Sequence, residues 1–363
     1  MLISKLLLMV SEDCNFNCRY CYQTREKKQM TRQVLDHALK RFLPAMKKSF
    51  GVFFVGGEPL LNPDLIRYAV DRLEDESRRR RKVCRLHLTT NGSLLDGDWI
   101  EWLNAHRFNV GLSFDGPAQD RGRRPGSFEP TVNTLDRLLS APRIGLIVNS
   151  VFYPETIGVL SGSLAFLLET GAPRISLGLD LHRPWSPSAV DELSHEFSAL
   201  TDVLEAHWRK AGTLPVDTFP DLSKRGIWRC DAGLGQVTVT AEGDLWGCPL
   251  FYEHFKGREN EGWYRRYHLG RLDGPWTDPR PLPPAVIKNY RLLSQDNFHT
   301  SNRRCFLCDD LEKCGVCPMV SAAHSNDPGR VPEFICRINR IAIREKMRLQ
   351  EAIGQPSPEN RTG

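Results

Sequence analysis

The first two-thirds of the chain alternates short apolar runs with longer amphipathic stretches. The apolar runs are rich in β-branched or aromatic residues, or are apolar over most of their length, which predicts strands covered on both faces. These predicted strands are 4–10, 51–56, 84–90, 109–115, 144–152 and 174–180. Helical patterns lie between them, beginning after the N-cap residue Thr31 and after Asn62, and near 97–106, 130–140, 156–170 and 188–210.

Six β-α units in series predict an α/β fold with a parallel sheet, either open or curled into a partial (β/α)6 TIM-like barrel. The pattern changes after residue 212, where Pro215, Pro220 and Gly226 mark a connection. Short hairpin signals, a proline-rich loop and clustered cysteines follow. We therefore predict a barrel domain at 1–212, a small cysteine-rich domain at 213–352 with a last helix at 336–352, and a disordered tail at 353–363.

The composition is that of an ordinary globular protein, with 40% hydrophobic and 26% charged residues in 363 and a net charge of +5. The basic run Arg78–Lys82 is typical of a solvated helix end and, less often, of a docking patch for an acidic partner. No window approaches eighteen apolar residues, and the apolar start lacks a cleavage site. We expect a cytoplasmic protein without membrane contact, in which disulfides are not the purpose of the eleven cysteines.

Three of those cysteines, Cys14, Cys18 and Cys21, form a C-x3-C-x2-C motif directly after the first predicted strand. Three thiolates from one loop can hold three corners of a [4Fe–4S] cube and leave the fourth iron open to a small molecule. The alternatives are a zinc site or unpaired surface thiols. Structural zinc prefers four ligands, and no further Cys or His precedes His37. An iron cluster with an open corner fits better.

This motif, with the aromatic Tyr20 before its last cysteine, resembles the signature of the radical S-adenosylmethionine (SAM) superfamily. The resemblance implies that SAM binds the open iron and is cleaved to methionine and a 5′-deoxyadenosyl radical. "GGEP" after the second strand resembles the family motif that holds the SAM amino group, although a Gly-Gly turn with a capping glutamate is at least as good an interpretation. The segment "DRGRRPGSF" resembles the family's segment for the SAM carboxylate, with Arg124 a close rival of Arg123. A solvated arginine-rich loop is an equally good interpretation of this segment. The implied cofactor-binding residues are Gly56, Gly57, Glu58, Thr90, Asn91, Ser113, Asp115 and Arg123.

The remaining clustered cysteines read C-x12-G-x4-C, with the glycine at a hairpin turn, followed by C-x2-C-x5-C-x2-C and a last cysteine nineteen positions on. They resemble the SPASM domain, which carries auxiliary iron–sulfur clusters, although the family has three residues before the last cysteine of the central block and this chain has two. The resemblance implies one auxiliary [4Fe–4S] cluster on Cys305, Cys308, Cys314 and Cys336. It implies a second auxiliary cluster on Cys230, Cys248 and Cys317, for which the sequence offers no obvious fourth cysteine ligand. Two structural zincs are the alternative, and Cys84 is predicted to be a buried strand residue.

The resemblance implies a radical SAM enzyme that oxidatively modifies a ribosomally synthesised peptide, by a crosslink, a thioether or a similar bond. Its implied partners are a precursor peptide, a separate peptide-recognition protein and a flavodoxin- or ferredoxin-type electron donor. A sulfatase-maturase-like or small-molecule dehydrogenase activity is the alternative. The sulfatase type carries an aspartate after the second SPASM cysteine, where this chain has Pro249. A zinc-stapled nucleic-acid-binding protein would explain the basic run but neither the three-cysteine site nor "GGEP".

Overall fold

The computed structural model of the protein describes residues 2–217, 226–274 and 281–354. In this part of the chain the strands are β1 Ile3–Ser11, β2 Met46–Gly56, β3 Val83–Thr90, β4 Asn109–Ser113, β5 Gly145–Phe152, β6 Ile175–Leu179, β7 Gln236–Val239 and β8 Leu245–Trp246. The helices are α1 Arg32–Phe42, α2 Pro63–Arg80, α3 Gly97–Ala105, α4 Gln119–Gly122, α5 Phe128–Leu139, α6 Leu160–Glu169, α7 Pro187–Ala211, α8 Pro249–Phe255, α9 Gly262–Tyr267, α10 Pro284–Tyr290, α11 Pro318–Ser325 and α12 Glu333–Ala352.

The six predicted strands are all present and form the expected parallel sheet, which does not close into a full barrel. Their order across the sheet is β6-β5-β4-β3-β2-β1, so neighbours in sequence are neighbours in space. The helices lie between consecutive strands, as the α/β pattern requires. The largest boundary error is at β2, which begins at Met46 because that residue pairs with Ile3.

The prediction that both faces of the strands are covered holds along β1, where Leu8, Met9 and Val10 are buried in succession, and fails for β4 and β5. Along β5 the buried positions Leu146 and Val148 alternate with the partly exposed Ile147 and Asn149. β4 alternates in the same way. One face of these two strands packs into the main hydrophobic core, whereas alternate side chains on the other face stay partly exposed.

The cysteine-rich part of the chain joins this same sheet. Strand β7 pairs in parallel with β1, and β8 pairs antiparallel with β7. Gly243 at the turn between them has a φ of +87°, which confirms the predicted glycine turn. The boundary at residue 212 stays a prediction, and Pro220 of the predicted connection lies outside the described residues.

The last helix also returns to the barrel. α12 begins three residues before its predicted start and packs along α7. Between the two helices, the buried carboxylate of Glu345 accepts hydrogen bonds from Thr201 Oγ1 and from Arg348 Nε, at 3.4 and 2.9 Å. The tail predicted at 353–363 is described only at Ile353 and Gly354.

The basic run at the end of α2 lies at the surface. Arg78 pairs with Asp75, and both Arg79 and Arg80 pair with Glu76. No helix among the described residues is both long enough and apolar enough to cross a bilayer.

Candidate functional site

The three cysteines of the first motif lie in the loop after β1, at the carboxyl edge of the sheet. They form no disulfide. Burial raises the pKa of all three thiols, that of Cys18 to about 11, and the charges of Cys14 and Cys21 contribute to that rise. The three sulfurs are therefore close enough to act on one another. A tight turn from Cys21 N to Cys18 O (3.1 Å) holds the end of the loop.

Gly56 and Gly57 are required by the close approach of this loop to the end of β2. A Cβ atom on Gly56, whose φ is +142°, would lie 2.0 Å from Ser11 O, and one on Gly57 would lie 2.2 Å from Asp13 O. Gly57 N donates to Ser11 O at 2.8 Å, and Glu58 N donates to Asp13 O at 2.8 Å. Both positions therefore need glycine because the cysteine loop packs against them and leaves no room for a side chain.

Glu58 is fully buried and binds the ends of two strands together. Its Oε1 accepts from Thr90 Oγ1 at 2.8 Å and from Leu60 N at 3.1 Å, and its Oε2 accepts from Asn91 N at 2.8 Å. Burial raises its pKa to about 7, against the lowering effect of the three hydrogen bonds. The capping interpretation of "GGEP" therefore has direct geometric support. A carboxylate offers about four lone pairs, so about one is left for a ligand.

Asn91 connects the third strand end to the cysteine loop. Its Nδ2 donates to Asn15 Oδ1 at 2.8 Å and lies 4.0 Å from Cys14 Sγ. Ser113, which ends β4, is partly exposed beside Asn149 of β5. Both side chains thus lie at the carboxyl edge where the sequence places them.

Arg123 and Asp115 form a buried bidentate ion pair, in which Nε to Oδ2 and Nη2 to Oδ1 both measure 2.9 Å. Asp115 also accepts from Tyr20 OH at 3.0 Å and from Val151 N at 2.9 Å. The guanidinium of Arg123 is thus engaged within the protein. The rival Arg124 is exposed and lies over the ring of Phe16, 5.4 Å from its centroid, and is the more available of the two for an anionic ligand.

The C-terminal cysteines fall into two groups in the structure, and all are free. The pKa of Cys314 is raised to about 12, first by burial and then by the charges of Cys305, Cys336 and Cys308. The pKa of Cys230 is raised to about 12, first by burial and then in part by the charge of Cys317. Burial raises the pKa of Cys248, and the charges of Cys230 and Cys317 raise it further. These are the two groupings that the resemblance implies.

Two cysteines of the second group stand at helix starts. Cys248 precedes α8 and Cys317 precedes α11, and each helix begins with proline. Burial raises the pKa of Cys317, and hydrogen bonds from the backbone N–H groups of Val320 and Met319 act against that rise. Cys84 lies on β3 as predicted and is partly buried against the main core.

The zinc alternative gains no support from the geometry. Zinc binds sulfur at about 2.3 Å, so its sulfur ligands lie within about 4 Å of one another. In the described part of the chain, no three or more His, Cys, Asp or Glu side chains are placed to hold a single metal ion. The ligands of a four-iron cube lie farther apart than those of a single ion, and the clusters stay a prediction.

Sequence reasoning missed residues that connect the first site to the second region. Glu12, two residues before Cys14, is buried and accepts from Tyr252 OH at 2.8 Å and from Lys256 Nζ at 3.1 Å. It also missed Asp180 and His182, which follow β6. In parallel α/β folds active sites lie at the carboxyl ends of the strands, and this rule could have identified Asp180 and His182 at the end of the sixth strand.

Comparison with known proteins finds both relatives in sequence and neighbours in fold. Residues 8–160 match the family model described as "Radical SAM superfamily". The radical SAM cyclopropyl synthase TigE of Paramaledivibacter caminithermalis is 23% identical over 95% of this chain and 75% of its own length. The PqqA peptide cyclase of Gluconobacter oxydans is 28% identical over 67% of this chain and 69% of its own. The solved structure "Native anSMEcpe with bound AdoMet and Cp18Cys peptide" shares the fold with a TM-score of 0.77 at 17% identity, covering 98% of this chain and 100% of that one.

Proposed function

Because this chain belongs to the radical SAM superfamily, we propose that it cleaves SAM reductively and uses the resulting radical to oxidise a side chain of a peptide. The observation that carries the proposal is the grouping of ten free cysteines into three separate sets, one at the sheet edge and two in the C-terminal region. The PqqA peptide cyclase and the peptide complex of anSMEcpe support a peptide substrate.

Cys14, Cys18 and Cys21 would hold the SAM-binding [4Fe–4S] cluster. When bound, SAM and this cluster supply the 5′-deoxyadenosyl radical. The wall beside this cluster would then be formed by Gly56, Gly57, Glu58 and Asn91. Arg123 stays a candidate for the SAM carboxylate because its charge acts on the Cys18 and Cys21 thiols, although it is paired with Asp115, and the exposed Arg124 stays its rival.

The two C-terminal groups would hold two auxiliary clusters. Oxidation of a substrate radical releases one electron, and iron–sulfur clusters cover potentials from about −700 to +450 mV, so such a cluster can accept it. Cys230, Cys248 and Cys317 supply three thiolates where four would close the cube. The absence of an aspartate after Cys248, where Pro249 begins α8, favours a peptide maturase over the sulfatase type.

The partners would be a precursor peptide, a flavodoxin- or ferredoxin-type electron donor and, if the chain's own surface does not bind the peptide, a separate recognition protein. Cytoplasmic reducing conditions suit free cysteines and reduced clusters. A short peptide encoded beside this chain's gene is the first substrate to test.

The experiment is anaerobic reconstitution with iron and sulfide, followed by iron analysis and incubation with SAM and a reductant. We expect about twelve iron atoms per chain, 5′-deoxyadenosine in the products, and a peptide lighter by two hydrogens. About four iron atoms would contradict the auxiliary assignment. If the protein contains zinc and leaves SAM intact, the nucleic-acid-binding alternative would be favoured instead.

A further inference from the structure

Gln295 lies against one of the C-terminal cysteine groups without being one of its predicted ligands. Its side chain is buried, and it begins the 3-10 turn Gln295–Asn297, which packs against the turn that starts at Cys305. Its Nε2 lies 3.9 Å from Cys314 Sγ, in position to donate an N–H···S hydrogen bond. Burial raises the pKa of Cys305, and a hydrogen bond from the Gln295 side chain acts against that rise. The amide group is therefore directed at two sulfurs of the same group.

The orientation of this amide is fixed from its other end. The backbone N of Val316, a buried residue between Cys314 and Cys317, donates to Gln295 Oε1 at 3.1 Å. Only the oxygen of a carboxamide can accept that hydrogen bond, so the NH2 group must be the end that faces the sulfurs. The backbone is held as well, because Gln295 N donates to Trp228 O at 2.9 Å. The side chain is thus fixed as a hydrogen-bond donor to sulfur.

A buried amide that directs its N–H groups at sulfur suits sulfurs that carry negative charge. A neutral thiol is a weak acceptor, and a buried N–H group that finds only weak acceptors is costly. A thiolate is a stronger acceptor, because hydrogen bonds to charged groups are shorter and stronger than those between neutral groups. The four cysteines with Gln295 behind them therefore fit the iron–sulfur cluster that the resemblance implies better than they fit free thiols.

The other side of this cysteine group faces solvent. Phe306, which follows the first of its cysteines, is exposed. Arg340 is also exposed, and its Nη2 lies 4.0 Å from Cys308 Sγ. Water can take the place of a donor on this side, and salt screens the charge of an exposed arginine. We therefore expect the buried amide of Gln295 to be the donor whose loss is not compensated.

We propose that Gln295 raises the reduction potential of a cluster held by this cysteine group, by donating hydrogen bonds to the sulfurs of Cys305 and Cys314. The proposal rests on the proposed function, in which oxidation of the substrate radical releases one electron. The substrate radical is oxidised by one electron, the cluster is reduced by one, and Gln295 keeps its protons. Its N–H groups stabilise the state with the extra negative charge, so the cluster accepts the electron more readily. Gln295 acts through the two sulfurs and is a positioning residue.

The test measures reduction potentials of the reconstituted protein by redox titration followed by electron paramagnetic resonance. The transition that is lost from Cys314→Ala is assigned to this cysteine group. Gln295→Met replaces the amide by an unbranched apolar side chain of similar length. We expect the equilibrium constant for one-electron reduction to fall at least about tenfold, which is a drop of about 59 mV in the midpoint potential. Asn297→Leu removes an exposed amide from the same turn, one that donates to Leu292 O, and as the matched control should leave the potential unchanged.

A second variant separates the effect on the sulfurs from a role in packing. Gln295→Lys loses the acceptor for Val316 N, as Gln295→Met does, but it keeps N–H donors and adds a positive charge beside the sulfurs. A role in packing alone predicts that the two variants change the protein in the same direction. The proposal predicts opposite shifts, with the midpoint potential lower in Gln295→Met and higher in Gln295→Lys than in the unaltered protein.

An unchanged potential in Gln295→Met, an equal fall in Asn297→Leu, or a fall in Gln295→Lys would overturn the proposal. Failure of the proposed function looks different. It would leave SAM intact in the unaltered, iron-loaded protein, and the potentials of the three variants would then still decide the proposal. If the cysteine group binds no cluster at all, the auxiliary assignment fails and the proposal is overturned with it.

Discussion

The two cysteine-bearing regions of this molecule are built in different ways. Around the first motif, backbone and side-chain hydrogen bonds from four strand ends converge, and Glu58, Asp115 and Arg123 are all buried and paired. Around Cys305 and Cys314 the chain forms short 3-10 turns, and Phe306 and Leu307 are 63% and 65% exposed.

The hydrophobic cores differ in the same sense. The sheet, its helices and much of the C-terminal region, including Trp246, Phe251 and Tyr290, share one large cluster. The segment around Cys305 and Cys314 packs on a separate cluster of five side chains. These are Phe298, Val316, Val320, Val331 and Ile335. We therefore expect the first site to be positioned mainly by the fold, and the segment around Cys305 and Cys314 to depend more on a bound metal cluster.

The strongest test of this comparison is removal of the first ligand set. The triple replacement of Cys14, Cys18 and Cys21 by alanine should reduce 5′-deoxyadenosine to background, because three of the proposed cluster ligands are lost. The C-terminal groups should still bind about two-thirds of the iron. Iron analysis and a 5′-deoxyadenosine assay measure both. Cys84→Ala, which removes a thiol outside the three groups, is the control, and continued SAM cleavage by the triple variant would show that the active cluster lies elsewhere.

Metal removal tests the second half of the comparison. Without clusters, amides of residues 295–317 should exchange with solvent at least roughly 100-fold faster, because local opening is no longer coupled to ligand binding. Amides of β2 and β3 in the same sample should change little, since the sheet closes its own hydrogen bonds. Hydrogen exchange read by mass spectrometry supplies both values. Equal acceleration in the two regions would show that the first region also depends on its ligand.

What could be predicted from the sequence also differs between the sheet and the C-terminal region. The six parallel strands were predictable because each is a run rich in apolar or β-branched residues, and the helix α12 because its apolar positions recur with a helical period. The pairing of β7 with β1 was not, because nothing local in 236–246 specifies a partner more than two hundred residues earlier. The partly exposed face of β4 and β5 was missed because apolar runs alone do not show whether a sheet closes.

At the site, residue types were predictable and their partners were not. The glycine pair and Glu58 were identified from a motif, but only the packing shows that Ser11 and Asp13 approach the glycines. The commitment of Arg123 to Asp115 depends on a bend that brings residues eight positions apart together. Neighbouring arginines cannot be distinguished by type, and so the rivalry with Arg124 could not be resolved from sequence.

A glycine substitution in the first region should be costly. Gly56→Ala places a Cβ 2.0 Å from Ser11 O at a φ of +142°, so it adds backbone strain to a clash with main chain. We expect a loss of about 4 kcal/mol in the free energy of unfolding, measured by denaturant titration. Gly162→Ala, on α6 with nothing within 4 Å of the new atom, is the control and should be neutral or slightly stabilising. A small effect at Gly56 would mean that the loop after β1 yields as easily as a surface turn.

The buried carboxyl of Glu58 should make stability depend on pH. Its pKa is raised from 4.5 to about 7 by burial, so the folded protein keeps a proton that the unfolded chain releases in that range. Stability should therefore fall as pH rises from about 4.5 to 7, by about 3 kcal/mol for this group. Glu58→Gln removes the titration, so the difference in unfolding free energy between the two proteins should change by that amount across the window. A constant difference would show that a ligand or water keeps the carboxylate charged in the fold.

The smallest effect is expected at the glycine turn between β7 and β8, which packs against both regions. Gly243 has a φ of +87°, but a Cβ there would meet Leu272 and Val34 only at ordinary contact distances of 3.6 Å and above. Gly243→Ala therefore incurs backbone strain without a clash, and should cost about 1 kcal/mol in unfolding free energy. Because Val34 belongs to α1 and Leu272 to the C-terminal region, the turn packs on both. A cost near that of Gly56→Ala would mean that the β7–β8 hairpin is as rigidly built as the strand ends, and the contrast between the two regions would then begin only beyond β8.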